Sequence, residues 1–168
     1  MDELLGVAAG QLERIKVAVS QLGLKYVDLA PVTFGVGIGI AWGDTEYVVL
    51  SIAAGGNENQ LMMTSGVLRD VKQDRLAVLD ACNRRNQSNS SYLFYLHDAE
   101  VGWDILLQHM YPIELLLDVP PFFQAAVTGL PRETQEARTQ FAEEWSFGGE
   151  PYRWNDEGVA RLLLRSMI

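Results

Sequence analysis

Phe34-Gly35-Val36-Gly37-Ile38-Gly39-Ile40 is the stretch on which the fold turns. Read as a loop it suggests a phosphate cradle, but the dinucleotide fingerprint needs its third glycine at position 40, where the chain has Ile40. Read as a strand, alternation puts Gly35, Gly37 and Gly39 on one face and Phe34, Val36, Ile38 and Ile40 on the other. One face then belongs to a core. The other is bare backbone that a helix of this chain or a partner can approach closely.

Working outward, Lys25 to Trp42 (interrupted by Pro31), Glu46 to Ala54 and Gln60 to Arg69 read as extended segments. Gly43-Asp44-Thr45 and Gly55-Gly56-Asn57-Glu58-Asn59 join them through connections short enough to force antiparallel neighbours. Before this meander, Leu4, Leu5, Ala8, Leu12, Ile15, Val19 and Leu22 fall on one helical stripe that Gly23 caps. After it, Asp74 is placed to cap a helix running through Leu76, Leu79 and Cys82 to about Asn86. Tyr92 to Leu96 and Trp103 to Met110 then form a hairpin across His97-Asp98-Ala99-Glu100. Past Pro112, a helix is expected over Pro121 to Thr128, and another from about Arg132 to Trp145.

The expected order is α-β-β-β-α-β-β-α, an α+β domain with a five-stranded antiparallel sheet and helices on one face. It spans residues 1–147. Gly148, Gly149 and Pro151 then read as a hinge into a C-terminal extension, 148–168, whose last helix carries Val159, Leu162, Leu163 and Met167.

The 168 residues suit one core, and 48% apolar against 21% charged residues is a globular composition. A net charge of −9 repels phosphate backbones and anionic lipid, so neither nucleic acid nor membrane is an expected partner. Cys82 is the single cysteine, which rules out an intramolecular disulfide and deprives a structural zinc site of its usual thiolates. The opening Met1-Asp2-Glu3 is acidic where a signal peptide is basic, and the expected location is the cytoplasm.

Candidate chemistry is sparse. His97 in a turn and His109 in a strand share one hairpin with Asp98, the only grouping from which a small-ligand site or small enzyme could be built. Glu143-Glu144 and Asp156-Glu157 are adjacent pairs whose side chains diverge on a helix. Cys82 reads as a small core residue. Asn83 and Asn86 sit where helix-end amides bond exposed carbonyls and the following turn, a structural role. No catalytic, metal or cofactor residues are expected, and the chain is not expected to be an enzyme. Gly35, Gly37 and Gly39 together with Val159, Leu162, Leu163 and Met167 are the expected interface, serving a protein client and a homodimer.

Leu76 to Asn86, including Leu79-Asp80-Ala81-Cys82-Asn83-Arg84-Arg85-Asn86, followed by Tyr92 to Met110, resembles the YbjN family. That family is similar in fold to type III secretion chaperones. The resemblance spans Leu4 to Trp145 in element order, and about Leu76 to Gly129 in recognisable residues. It implies helices packed on one antiparallel sheet, a homodimer, and protein binding or regulation without established catalysis; it carries over no catalytic residue. The extension from Gly148 to Ile168 departs from the pattern.

Overall fold

In the computed structural model, which describes residues 2–31, 35–42, 46–54, 59–88, 92–99 and 101–152 (without the side chains of 2–4 and 46), the sheet has six strands instead of five. They are β1 (Val27–Asp28), β2 (Gly35–Trp42), β3 (Glu46–Ala53), β4 (Gln60–Val71), β5 (Leu93–Asp98) and β6 (Trp103–Pro112). Their spatial order is β1-β2-β3-β4-β6-β5, antiparallel throughout. The sixth strand arises because Lys25 to Trp42 is not one extended segment. Pro31, which has no N–H to give a ladder, lies between a two-residue edge strand and the long β2.

Among the described residues, four helices accompany the sheet: α1 (Asp2–Gln21), α2 (Arg75–Ser88), α3 (Ile113–Asp118) and α4 (Pro120–Thr139). All are on one side, as expected for this α+β class. Ala8, Leu12, Ile15 and Val19 of α1 are buried with Ile38, Ile40, Leu50 and Ile52, and Phe123, Val127 and Leu130 of α4 join the same core. Gly23, at φ 73°, ends α1: its N–H bonds Ser20 O, and Leu24 N–H bonds Val19 O. Asp74 caps α2 as expected, its carboxylate accepting from Leu76 N–H (3.0 Å) and Ala77 N–H (3.3 Å). The buried stripe of α2 is Val78, Ala81 and Cys82, whereas Leu76 faces water at 72% exposure. Burial pushes the Cys82 thiol up to about 12, which makes it inert as a nucleophile near neutral pH.

Two segments read from the sequence as separate helices, Pro121 to Thr128 and Arg132 to Trp145, are one. α4 runs through Pro131 and finishes in a π-helical turn, Gln140–Glu144. Proline disfavours a helix interior, but Leu130, Pro131, Thr134 and Ala137 are all buried here. Packing of that face outweighs one lost backbone bond. The π turn sets Phe141 in the core against Phe94, Trp145 and Phe147. Arg85 ties α2 to α4 by pairing with Glu133 (2.6 Å) and donating to Gln140 Oε1 (2.8 Å).

The sheet's outer edges are both blunted. β1 is two residues long, and the free edge of β5 is occupied by Asn86, which accepts from Phe94 N–H (2.7 Å) and donates to Phe94 O (2.8 Å). The Asn86 amide thus substitutes for a neighbouring strand at one residue, while Asn83 is exposed. Asn86→Ala should lower stability by about 1–3 kcal/mol in urea denaturation, and Asn83→Ala should stay within about 0.5 kcal/mol of the parent.

Candidate functional site: the second face of the sheet

Register determines what the face away from the helices carries. Gly35, Gly37 and Gly39 stand opposite Ala53, Ser51 and Val49; Val49 and Ser51 in turn stand opposite Thr64 and Met62; and Thr64 and Met62 stand opposite Gln108 and Met110. Polar groups mix with apolar ones on this face, in contrast to the hydrocarbon core opposite. Val49, Ser51, Thr64 and Leu106 have 0% exposure, and the three glycines are buried as well. Tyr47, Val49, Leu106 and Tyr152 form a separate small apolar cluster, edged by Leu29 and Tyr95, to which no residue of α1–α4 belongs.

β4 holds this face in place by abandoning its own ladder. It pairs with β3 only from Met62 to Thr64, then bulges twice against β6, between Gly66 and Leu68 and between Leu68 and Val71. Side chains serve the backbone groups this releases. Ser65 Oγ donates to Tyr47 O (2.9 Å), and the Arg138 guanidinium of α4 donates to Val67 O (3.0 Å) and Gly66 O (3.3 Å). Asp70 adopts a left-handed φ of 55° and points its N–H at Asp104 Oδ1 (3.0 Å).

The chain after α4 returns onto this bulged strand. Glu150 makes a two-bond backbone bridge with Arg69 (2.7 and 3.0 Å), reinforced by an ion pair of their side chains (2.8 Å). Tyr152, fully buried, then lies over Gly66 and donates its hydroxyl to Asp104 Oδ2 (2.6 Å). A Cβ on Gly66 would overlap the tyrosine ring, so the backbone there must be bare. Asp104 is itself fully buried, and two charge-assisted hydrogen bonds contribute to keeping its carboxylate inside.

The histidines do not meet. His97 pairs across the hairpin with Asp104 and so lies on the second face, in β5 and not in the turn the sequence suggests. His109 is on the helix face, stacked on Tyr111 (3.9 Å between ring centroids) and edge-on to Tyr92 (5.8 Å). Burial lowers the His109 pKa from its ordinary value and raises Tyr92, while Tyr111 is pushed up to about 12. Among the described residues, no three His, Cys, Asp or Glu side chains converge in a way that could hold a metal. Gly35, Gly37 and Gly39 are brought together as expected; Val159, Leu162, Leu163 and Met167 lie outside the described residues.

Among the described residues, cavities flank the layers. One of about 380 Å³ lies between α1 and the α3–α4 junction, lined by Val17, Leu22, Leu116 and Phe123, with Arg14 at its rim paired to Glu114 (2.8 Å). Another, about 220 Å³, is on the second face, where Ala53, Gln60, Met62 and Met110 leave a notch. Asp104, Tyr152 and Gly66 escaped the sequence reading because their partnership joins residues 48 apart or more, beyond any periodicity. The one available signal was Gly66 itself, a glycine inside a strand pattern.

These features define an antiparallel α+β domain with helices on one face and a glycine-lined second face. No family model matches the sequence, and no curated protein matches it. Among solved structures, the chain is similar to the crystal structure of YbjN from E. coli, a protein proposed to be a transcription regulator. The TM-score is 0.60 at 11% identity, covering 83% of this chain and 95% of that one. The chain has a YbjN-like fold. No described helix is long and apolar enough to cross a membrane.

Replacing Gly66 with alanine should eject the Tyr152 ring and strand the buried carboxylate, costing about 2–4 kcal/mol in urea denaturation. Tyr152→Phe, which keeps the ring, should cost about 1–3 kcal/mol. His109 gives a pH dependence of known sign. Its folded pKa is below the ordinary 6.5, so the folded and unfolded chains are equally neutral above that value. As pH falls through 6.5 the unfolded chain takes up the proton first, and stability declines until the folded pKa is passed. Relative to His109→Phe, which retains an aromatic ring, the parent should lose stability between pH 7 and pH 5 in matched urea titrations.

Proposed function

We propose that this domain is a non-catalytic protein-binding module of chaperone-like or regulatory adaptor type, acting in the cytoplasm, and that its working surface is the second face of the sheet. The observation that carries the reading is the row Gly35, Gly37 and Gly39 on the face that the described helices leave alone. A glycine row lets an incoming backbone or helix approach closely. The blunted edges argue against strand addition as the binding mode, since Asn86 occupies β5 and β1 is two residues long. The net charge of −9 favours a client segment with basic residues. The regulatory description of YbjN agrees with this reading.

The alternative built on the hairpin histidines loses its support, because His97 and His109 lie on opposite faces of the sheet. The test is binding of amphipathic, basic helical peptides, followed by amide hydrogen exchange. Protection is expected along 35–53 and 62–66, with Gly37→Leu weakening binding at least tenfold and His97→Ala or His109→Ala changing it less than twofold. Binding that is indifferent to Gly37→Leu, or a metabolite retained in native mass spectrometry with protection around a histidine, would overturn the reading.

A further inference from the structure

The helix layer contains a space that its own side chains do not fill. α3 ends at Asp118 because Val119 precedes Pro120, which drives its backbone out of the helical region (φ −128°, ψ 76°), and Pro120-Pro121 then restart the chain as α4. Between this elbow and the second half of α1 lies the cavity of about 380 Å³. Leu116 and Phe123, both buried, line it together with the partly buried Ala18, Leu22 and Leu117. Val17 lines it too, yet keeps 57% of its surface in water. Apolar pockets of roughly 300–1,000 Å³ with a few polar groups at the edge are the usual form of small-molecule sites.

The polar edge selects the ligand. Arg14 lines the cavity, and its guanidinium already holds a carboxylate in a fork: Nη1 and Nη2 donate to Glu114 Oε1 (2.8 Å) and Oε2 (3.0 Å). Glu114 and Asp118, the acids beside Arg14, are exposed and lie outside the lining. An ion pair so open to solvent adds little stability, so exchanging the Glu114 carboxylate for one carried by a ligand costs little. Gln11 Oε1 also accepts from Arg14 Nη1 (2.8 Å), which holds the guanidinium in place during the exchange. Pro120, at the N-terminus of α4, lines the same cavity and brings to it the positive end of a 20-residue helix dipole.

We propose that this cavity binds a free, unbranched aliphatic monocarboxylate of medium length, its chain between α1 and the α3–α4 elbow and its carboxylate on Arg14 in place of Glu114. Such a ligand takes Val17 out of water while its acid group stays at the exposed rim, so that only apolar surface is buried. The site belongs to the helix layer and is independent of the second face as a client surface.

The test titrates the full chain with octanoate, octan-1-ol and octylamine by calorimetry, alongside isotope-filtered NMR on protein with ¹³C-labelled methyl groups. Octanoate should bind about tenfold tighter than the alcohol, with its chain in contact with the methyl groups of Val17, Leu22 and Leu117. Arg14→Gln should weaken octanoate about tenfold and leave the alcohol unchanged. Glu114→Gln removes the competing carboxylate and should tighten octanoate several-fold; unchanged or weaker affinity in that variant would overturn the exchange. Ala18→Trp should fill the cavity and abolish binding, and the NMR contacts decide the matter if that variant does not fold. No binding at millimolar octanoate, chain contacts on the second face instead, or octylamine binding tighter than octanoate would each sink the proposal. So would a short leucine-ended peptide with a free carboxylate binding about tenfold tighter than octanoate, which would make a polypeptide end the ligand.

Discussion

A bulged strand has to find partners for the backbone groups it withdraws from the ladder, and most of this structure can be traced to how β4 does so. From Ser65 to Val71 the strand no longer matches β3, and its carbonyls and amides are claimed by side chains from three directions. Arg138 reaches them from the helix layer, Asp104 from the adjacent strand, and Glu150 through its backbone from the returning chain. The same short segment therefore registers α4 on one side of the sheet and Tyr152 on the other. Neither layer can shift along the strand without orphaning a buried polar group.

This division of labour separates the two faces chemically. The helix side is hydrocarbon and aromatic, and it absorbs irregularities such as Pro131 and the π turn because many contacts share the strain. The far side is thin. Among the described residues it has a cluster of four buried apolar residues, a row of glycines, and hydroxyls and a carboxylate held by hydrogen bonds. Such a surface depends on hydrogen bonding and closeness of packing more than on burying hydrocarbon.

What could be read from the sequence was whatever repeats locally. The α1 stripe, the Gly23 and Asp74 caps, the meander and the hairpin each declare themselves through local spacing and turn residues, and alternation alone separated the glycine face from the core face of β2. Pro131 misled because a proline is a local signal of a break, overridden here by the burial of its own helix face. Leu76 misled for the converse reason, since an apolar side chain at a helix start can remain in water. The partner of Asn86 is a strand across the loop and not the helix end beside it. The Gly66, Asp104 and Tyr152 cluster had no local signature, because three distant segments supply it and only the finished topology brings them together.

Tyr152 is made 48 residues after the carboxylate it serves. At ordinary rates of synthesis, roughly 5–20 residues per second, that delay is roughly 2–10 s. The helix layer also waits for late sequence, since α4 and Phe141 follow Asp104 in the chain. Until Tyr152 has been made, Asp104 lacks its hydroxyl partner and the bare backbone of Gly66 lacks the ring that lies over it. The tyrosine is therefore a late arrival as well as a packing residue, and the site around Asp104 is complete only once it is in place.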